Sequence, residues 1–409
     1  MRDFAPEAAA ARRRIAESLL GVFDRWGFAR VITPAFEYED VLALGLGSAG
    51  RAAAIRFVEP SSGQVVALPP DITPQIARLI ATRFRDERGP LRLAYEGTVV
   101  RLDQRARSQR EIIQAGVELA GVAGCRGDVE IVGLGAAALE AVGFADGIKV
   151  TIDLGHLGLA QEVLGALGLD DDGREAARTR IAKRDRAGLA EVLRAARGAP
   201  SVLEFAALLP ELCGPPRVLA SARKRAPARP AGIRRALDEL ATLLAELQRE
   251  KLPARLHVDL SEVRGFDYYT GMRVQGYVPG WPEPLLQGGR YDSLLARYGR
   301  STPAVGFAID VEATAGALEL PAASPAVGRN GRSNGVRDGG VLVSGPAEAA
   351  RATVARLRRN GRRAAVELGG LTGEALRAYA HRWRFAELRT LGSRQQRRSS
   401  TSRGGRSGE

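Results

Sequence analysis

The sequence predicts an α+β protein in which an antiparallel sheet carries helices on its face and is interrupted by a helical insertion. Two observations favour this class: extended apolar runs occur in hairpin-like pairs, and a long Ala/Leu/Arg-rich stretch over 157–250 has helical periodicity. The chain has 409 residues. That length accommodates one large domain and a smaller one.

The first elements follow from apolar spacing and from proline and glycine. Residues 6–26 have apolar side chains at helical spacing and end at Gly27, and a short strand over 28–32 stops before Pro34. Two runs, 54–59 and 64–68, flank a Pro-Ser-Ser-Gly turn and predict a hairpin. A helix through 74–84 follows, with Asp71 or Thr73 as its cap.

The rest of the main domain is predicted in the same way. Extended runs over 91–102 and 111–119 are joined by a polar loop, and a helix over 128–142 and a strand over 147–154 follow. After the helical insertion at about 157–250, strand patterns resume. They cover 254–260, 269–278 and 303–309. We therefore assign residues 1–320 to one main domain.

The composition changes after residue 320. Residues 321–340 are rich in Gly, Ser, Asn and Arg and predict a linker. Residues 341–390 predict a small α/β segment, with strands at 341–343 and 363–368 around a helix at 347–359. Residues 391–409 contain mostly Ser, Gly, Arg and Gln, which cannot bury a core, so a disordered basic tail is expected.

The net charge of +13 is concentrated in that C-terminal part. From residue 321 onward there are 18 arginines and six acidic residues, whereas residues 1–320 carry 42 basic and 41 acidic residues. A polyanion groove in the main domain is therefore not expected, and nucleic acid is not an expected partner. The basic tail is interpreted as a solvated extension, with an RNA-binding arm as the alternative.

Cysteine and histidine usage excludes several classes of site. Two cysteines cannot form a disulfide framework, and three scattered histidines do not suggest a metal site. No apolar run approaches the roughly 20 residues of a membrane helix, and the N-terminus has no secretory pattern. A cytoplasmic protein without membrane association or cofactor is expected.

Polar residues on the predicted strands suit an amino-acid ligand. Asp71, Thr73 and Glu118 offer acceptors for an α-ammonium group. Arg101 or Arg264 offers a guanidinium for a carboxylate or phosphoryl oxygen. The list is completed by Gln114, which shares a strand face with Glu118 because their spacing is even. A buried Glu118 needs a cationic or N–H partner.

Three motifs carry a resemblance to a known family. Two of them are Arg-Gly-Phe-Asp-Tyr-Tyr-Thr-Gly at 264–271 and Gly-Gly-Arg-Tyr-Asp at 288–292, the latter followed by Ala-Val-Gly-Phe-Ala-Ile at 304–309. The third is Tyr-Glu-Gly-Thr-Val-Val-Arg at 95–101 leading to Gln-Ala-Gly-Val-Glu at 114–118, and a fourth segment, Leu-Pro-Pro-Asp-Ile-Thr-Pro at 68–74, joins them. Over residues 1–318 the chain resembles histidyl-tRNA synthetases, and more closely their paralogue, the regulatory subunit of ATP phosphoribosyltransferase.

The resemblance implies a class II aminoacyl-tRNA synthetase-like antiparallel sheet and a histidine pocket. The implied pocket residues are Asp71, Thr73, Arg101, Gln114, Glu118, Arg264, Tyr268 and Tyr269. Of these, Glu118 and Tyr269 would face the imidazole and Arg264 would reach the carboxylate. Pro34 matches the proline of the dimer-forming motif, so self-association is also implied.

Departures from the synthetase pattern imply a regulatory protein that is not an enzyme. Ala313 stands where a synthetase has the arginine that clamps the ATP phosphates, and alanine cannot supply that charge. Two further positions, Asp71 and Asp103, are aspartate where synthetases have glutamate. The C-terminal segment is also too short for a full anticodon-binding domain. The implied partners are the short catalytic subunit of ATP phosphoribosyltransferase and L-histidine, with feedback on the first step of histidine biosynthesis.

Simpler interpretations stay open for single residues. Asp71 could act only as a helix cap, Glu118 could form a structural ion pair with Arg101 or Arg110, and Gly288-Gly289 could be only a turn. Tyr268 and Tyr269 could be ordinary strand residues. For the whole chain, the alternatives are an active histidyl-tRNA synthetase and an RNA-associated module that uses the basic tail.

Overall fold

The computed structural model describes residues 3–102, 110–144, 150–263, 268–319 and 339–392. The strands in these ranges are β1 (Ala29–Arg30), β2 (Glu37–Tyr38), β3 (Ile55–Val58), β4 (Val65–Leu68), β5 (Leu91–Val100), β6 (Glu111–Ala120), β7 (Thr151–His156), β8 (Cys213–Gly214), β9 (Arg255–Asp259), β10 (Met272–Tyr277), β11 (Leu286–Arg290), β12 (Ala304–Asp310), β13 (Gly340–Ser344), β14 (Ala364–Val366) and β15 (Phe385–Thr390).

The helices in the same ranges are α1 (Pro6–Arg25), α2 (Glu39–Gly45), α3 (Ser48–Ala53), α4 (Thr73–Arg83), α5 (Cys125–Ala141), α6 (Leu157–Gly165), α7 (Asp171–Ala182), α8 (Arg186–Leu193), α9 (Pro200–Leu208), α10 (Arg217–Arg225), α11 (Ala231–Glu250), α12 (Val311–Leu318), α13 (Ala347–Arg359) and α14 (Gly373–Arg382). Within these ranges no helix is both long and apolar enough to cross a membrane.

The main sheet has nine strands in the order β1-β5-β6-β12-β11-β10-β7-β9-β8. Its central pairs are antiparallel, and the pairs β1–β5 and β7–β9 are parallel. The long strands β5 and β6 pair over their full length, from Leu91 opposite Ala120 to Val100 opposite Glu111. This register fixes which side chains point to each face of the sheet. The expected antiparallel sheet is therefore present.

Helices α1, α5 and α11 cover one face of this sheet. The apolar spacing of α1 buries Leu19 and Phe23, and Phe23 meets Phe307 of β12 in an edge-to-face contact with 5.8 Å between ring centroids. The 20-residue helix α11 buries its apolar face and exposes its polar face. This side of the sheet forms the larger hydrophobic core.

The predicted insertion is helical, as expected, from α6 to α11. Its one extended piece is β8, which pairs with β9 and forms the outer edge of the main sheet. A separate three-stranded sheet, β2-β4-β3, contains the predicted hairpin of β3 and β4.

The C-terminal elements form a second α/β unit around the parallel sheet β14-β13-β15. Buried polar contacts attach this unit to the main sheet. Arg92 of β5, which is 1% exposed, donates to the Val366 carbonyl at 2.7 Å, and Tyr379 of α14 donates to the Pro90 carbonyl at 2.7 Å. The guanidinium of Arg358 lies 3.5 Å from the ring centroid of Trp26.

Several local expectations need correction. The Gly288-Gly289 pair is not a turn but lies inside β11, a central strand that the sequence did not predict. The sequence also did not predict α14 and β15. Helix α4 begins at Thr73, with Ile72 as its N-cap and no side-chain cap. The nearest interaction to a cap is a long contact of 3.4 Å from the Thr73 N–H to Asp71.

Candidate functional site

A narrow polar cavity of about 60 Å³ lies over the middle of the main sheet, between strands β6, β10, β11 and β12 and the start of α4. Its volume is far below the roughly 300 Å³ of a drug-sized pocket, so it suits a small ligand. It is lined by Asp71, Thr73, Arg101, Gln114, Tyr268, Tyr269, Arg273, Leu285, Gln287, Tyr291, Gly306, Phe307, Ala308 and Asp310.

Glu118 lies directly beneath this cavity and is 1% exposed. The Thr73 hydroxyl donates to its Oε1 at 2.7 Å, and the Tyr291 hydroxyl makes a short hydrogen bond to its Oε2. Burial raises the pKa of Glu118 to about 8; the two hydroxyl donors oppose this shift and the nearby Asp71 adds to it. Glu118 therefore holds a proton through much of the neutral range.

Asp71 forms the second acidic position. It is 4% exposed, and its Oδ2 accepts a hydrogen bond from the Tyr268 hydroxyl at 2.5 Å. We call Asp71, Thr73, Glu118, Tyr268 and Tyr291 the acidic wall. Two carboxyl groups share this wall, and their described hydrogen-bond donors are neutral side-chain hydroxyls and one backbone N–H. A ligand with a positive charge or an N–H donor is the missing complement.

Two tyrosine rings of the acidic wall, Tyr268 and Tyr291, pack with a third, Tyr269. The centroids of Tyr268 and Tyr269 are 4.7 Å apart, and that of Tyr291 lies 5.6 Å from Tyr268 and 6.4 Å from Tyr269. Burial raises the pKa of all three phenols, to about 12 for Tyr269, so each keeps its proton; Tyr268 and Tyr291 use theirs to donate to Asp71 and Glu118. The rings meet in tilted and edge-to-face geometry, and aromatic surfaces of this kind suit a flat ring or a cation.

Glycines on neighbouring strands make room for these side chains. A Cβ at Gly306 would lie 1.8 Å from Oε2 of Glu118, and a Cβ at Gly289 would lie 2.8 Å from the ring of Tyr269. A Cβ at Gly116 would lie 2.5 Å from the hydroxyl of Tyr95, which is buried behind the site. The site therefore depends on glycines that the sequence pattern alone does not connect to it.

The opposite side of the cavity is formed by Arg101 and Asp310, which we call the Arg101 wall. Arg101 donates from Nε to the Pro70 carbonyl at 2.7 Å, which fixes its guanidinium in place. Asp310 caps α12 by accepting the Ala313 N–H at 2.9 Å. Ala313, in the first turn of α12, adds no charge to this side.

Arg273 also lines the cavity; both of its terminal nitrogens already have acceptors, whereas its Nε is buried without a partner among the described residues. Its Nη1 donates to the Gly288 carbonyl at 2.7 Å, and its Nη2 donates to Gln287 at 3.0 Å. This guanidinium is thereby held against β11. Oε1 of Gln114 is also buried at the cavity and has no hydrogen-bond partner among the described residues. Because buried acceptors are normally hydrogen-bonded, this oxygen is a candidate acceptor for an N–H group of a ligand.

Seven of the eight sequence-predicted site residues come together here. Six line the cavity, and Glu118 is hydrogen-bonded to Thr73 and Tyr291, which line it. Arg264 lies outside the described residues, and so does Asp103. The described contacts of Glu118 are two hydroxyls, so the expected cationic or N–H partner is not among the described residues. The sequence analysis did not name Tyr291 as a site residue, although it lies in the Gly-Gly-Arg-Tyr-Asp motif and follows β11 directly.

Comparison with known proteins gives a consistent result. A sequence profile described as histidyl-tRNA synthetase matches residues 1–314. The ATP phosphoribosyltransferase regulatory subunit of Geobacter sulfurreducens is 41% identical over 318 residues, which cover 78% of this chain and 72% of that protein. The chain belongs to this histidyl-tRNA synthetase-like family of regulatory subunits.

Two further relatives agree with this placement. The regulatory subunit of Anaeromyxobacter dehalogenans strain 2CP-1 is 40% identical over 344 residues, covering 82% of this chain and 93% of that protein. A crystal structure from Bacillus halodurans, titled as an ATP phosphoribosyltransferase regulatory subunit/histidyl-tRNA synthetase, matches with a TM-score of 0.69 and 26% identity over 95% of this chain and 96% of that one. The predicted α+β fold of the class II synthetase type is confirmed.

Proposed function

We propose that this chain is the non-catalytic regulatory subunit of an ATP phosphoribosyltransferase. It activates a short catalytic subunit, which joins ATP to phosphoribosyl pyrophosphate, and it mediates feedback by L-histidine. The names of relatives at about 40% identity over most of the chain support the assignment. The observation that carries it is the acidic wall with its two buried carboxyl groups, together with Ala313, which supplies no charge at the start of α12.

Histidine is the proposed ligand of the cavity. Its α-ammonium would meet Asp71, Thr73 and the unpartnered Oε1 of Gln114. Its imidazole would lie against Tyr269 and share a proton with Glu118, because the raised pKa of that carboxyl lies close to the range in which an imidazole titrates.

The carboxylate of the ligand would be held by Arg101 and, by family resemblance, Arg264, with Tyr268 closing the site.

The absence of adenylation is part of the proposal. Transfer of an ATP phosphoryl group needs fixed positive charge on the developing oxyanions. Two described arginines line the cavity, Arg101 and Arg273. Arg101 donates to the Pro70 carbonyl, and Arg273 donates to Gly288 and Gln287. Ala313 places a methyl group where the synthetases have a guanidinium. The alternative, an active histidyl-tRNA synthetase, has in its favour the family profile itself.

Self-association through the β2-β4-β3 sheet is also proposed. Of nine large apolar side chains that are exposed in the described ranges, seven lie between residues 32 and 65, including Ile32 at 83% and Val58 at 60% exposure. Exposed apolar side chains concentrated in one segment are typical of protein interfaces. The segment includes Pro34, whose carbonyl accepts from Gln75 of α4 at 3.0 Å, so the surface is anchored to the helix that begins at Thr73.

Feedback requires that histidine bind the active and inactive states of the complex with different affinity, typically by about 1–3 kcal/mol. The test is to mix the purified chain with a purified short catalytic subunit and to measure the transferase rate with and without histidine. The proposal predicts a rate that depends on this chain and falls when histidine is added. A rate that is unchanged by the chain would overturn it.

A further inference from the structure

A cluster of reactive side chains lies at the other edge of the main sheet, away from the cavity. In the pair β7–β9, Asp153 stands opposite His257, and in the pair β8–β9, Cys213 stands opposite Asp259. Cross-strand partners share one face of a sheet, and residues 257 and 259 are two apart on one strand. The register therefore places a thiol, an imidazole and two carboxylates on the same face.

The imidazole of His257 is oriented by a carboxylate at ordinary hydrogen-bond distance and has the thiol at the outer limit of hydrogen-bond reach. Nδ1 of His257 lies 3.0 Å from Oδ1 of Asp153, and its Nε2 lies 4.0 Å from Sγ of Cys213. Because a carboxylate only accepts, we assign the ring proton to Nδ1, and this assignment turns the Nε2 lone pair toward the thiol. Nucleophile, base and orienting acid then follow in the order used for covalent catalysis.

A guanidinium lies on the other side of the sulfur. Nη2 of Arg184 is 2.9 Å from Sγ of Cys213 and 2.7 Å from Oδ2 of Asp259. Arg184 has a φ of 55°, a left-handed conformation that non-glycine residues rarely adopt, in the turn between α7 and α8. This turn directs the guanidinium at the sulfur, where a positive charge would stabilise a thiolate.

We propose that Cys213 is a reactive thiol that exchanges with small disulfides, with His257 as its base and Asp153 and Arg184 as positioning residues. His257 takes the thiol proton, the sulfur attacks one sulfur of the disulfide, and a new S–S bond forms as the old one breaks. The leaving thiolate receives the proton from His257. Cys213 is half-buried, so its partner must be a small molecule.

The need for a base follows from the surroundings of the thiol. Burial and the Asp259 carboxylate raise the pKa of Cys213, while Arg184 opposes the shift, so the thiol keeps its proton near neutrality. The carboxylates that act on Asp153, the acid that orients the base, are Asp259 and Glu262. Without His257, the proton of the Cys213 thiol would be removed only by solvent, and exchange would be slower.

The chain contains its own control, since Cys125 at the start of α5 is also half-buried. Burial raises the pKa of that thiol to about 11, and it has no described hydrogen bond to an imidazole. The native full-length chain is treated with the aromatic disulfide DTNB, and release of its thiolate is followed by absorbance. Cys213→Ser and Cys125→Ser variants assign each phase, and the same reaction in denaturant counts the thiols.

We expect Cys213 to react at least about tenfold faster than Cys125 at pH 7. His257→Gln should slow Cys213 about tenfold at pH 7 but not at pH 10, where solvent removes the proton without help. The proposal is overturned if the two cysteines react at similar rates. It is also overturned if His257→Gln leaves the rate at pH 7 unchanged, or slows it equally at both pH values, since equal slowing would show a purely structural role.

Discussion

The two sides of the cavity differ in how their charges are held. The acidic wall contains two buried carboxyl groups whose described hydrogen bonds come from three side-chain hydroxyls and one backbone N–H. The Arg101 wall has one guanidinium fixed on a backbone carbonyl and one carboxylate that caps a helix. The first wall leaves its two carboxyl groups without a cationic partner among the described residues, whereas the described contacts of the second are mainly structural.

Under the proposed function, this contrast is how a synthetase-like fold would keep amino-acid binding while it loses adenylation. Recognition of an amino acid depends on a few buried acceptors, which are retained here together with the glycines that accommodate them. Activation additionally needs fixed positive charge near the phosphates. In the proposed function, Ala313 in the first turn of α12 supplies no such charge, and the helix keeps its cap at Asp310.

The largest effect is expected at Gly306, which supports the acidic wall from β12. Gly306→Ala places a Cβ 1.8 Å from Glu118 and 2.3 Å from the Val117 carbonyl, and backbone cannot give way cheaply in a central strand. The free energy of unfolding in urea should fall by about 3 kcal/mol or more. Gly165→Ala on α6 is the control, because its Cβ meets nothing within 4 Å. Equal stability of both variants would show that the wall is loosely packed.

The next effect is a pH dependence from Glu118. Its pKa is about 8 in the folded chain and near 4.5 when unfolded, so the folded state binds more protons between these values and stability falls as pH rises through this window. Relative to Glu118→Gln, the wild type should lose roughly 3 kcal/mol of unfolding free energy between pH 5 and pH 8. Urea unfolding at the two pH values measures this difference. Parallel behaviour of the two proteins would place Glu118 in a solvated site.

A smaller effect concerns ligand binding by the acidic wall. Glu118→Gln should weaken histidine binding about 30-fold in titration calorimetry, which corresponds to about 2 kcal/mol for one charge-assisted hydrogen bond. Glu111→Gln is the matched control, since it lies on the same strand but is exposed. If both variants bind histidine like the wild type, Glu118 does not contact the ligand.

The smallest effect is expected from the Arg101 wall. Ala313→Arg adds a charge at a half-buried position in the first turn of α12 and should change histidine affinity less than twofold, because the acidic wall is on the other side of the cavity. The unfavourable interaction with the helix N-terminus should lower the unfolding free energy by roughly 0.5 kcal/mol. A large loss of histidine affinity would mean that the two walls act as one unit.

The sequence predicted most elements because their apolar periodicity is strong. Helix α13 matches its predicted range, and α1 and the β3–β4 hairpin agree within about two residues at each end. Strand β11 was missed because Leu-Gln-Gly-Gly-Arg has the composition of a turn. Its glycines are needed for a tertiary reason, close approach of Tyr269 and Phe307, which no local pattern contains.

The site was predicted mainly through family motifs and less through physical pattern. Even spacing on β6 correctly placed Gln114 and Glu118 on one side of the strand. The partners of Glu118 could not be deduced, because Thr73 and Tyr291 are 45 and 173 residues away in sequence. The available signal for Tyr291 was that Glu118, an acid on an apolar strand, needs a hydrogen-bond donor.

Histidine-dependent exchange of pyrophosphate into ATP by the purified chain tests the central claim most directly. This reaction requires both walls, since it needs bound histidine and a stabilised phosphoryl group. The account predicts exchange at the background rate even at saturating histidine, in a preparation shown by calorimetry to bind histidine. Exchange at the rate of a working synthetase would contradict it.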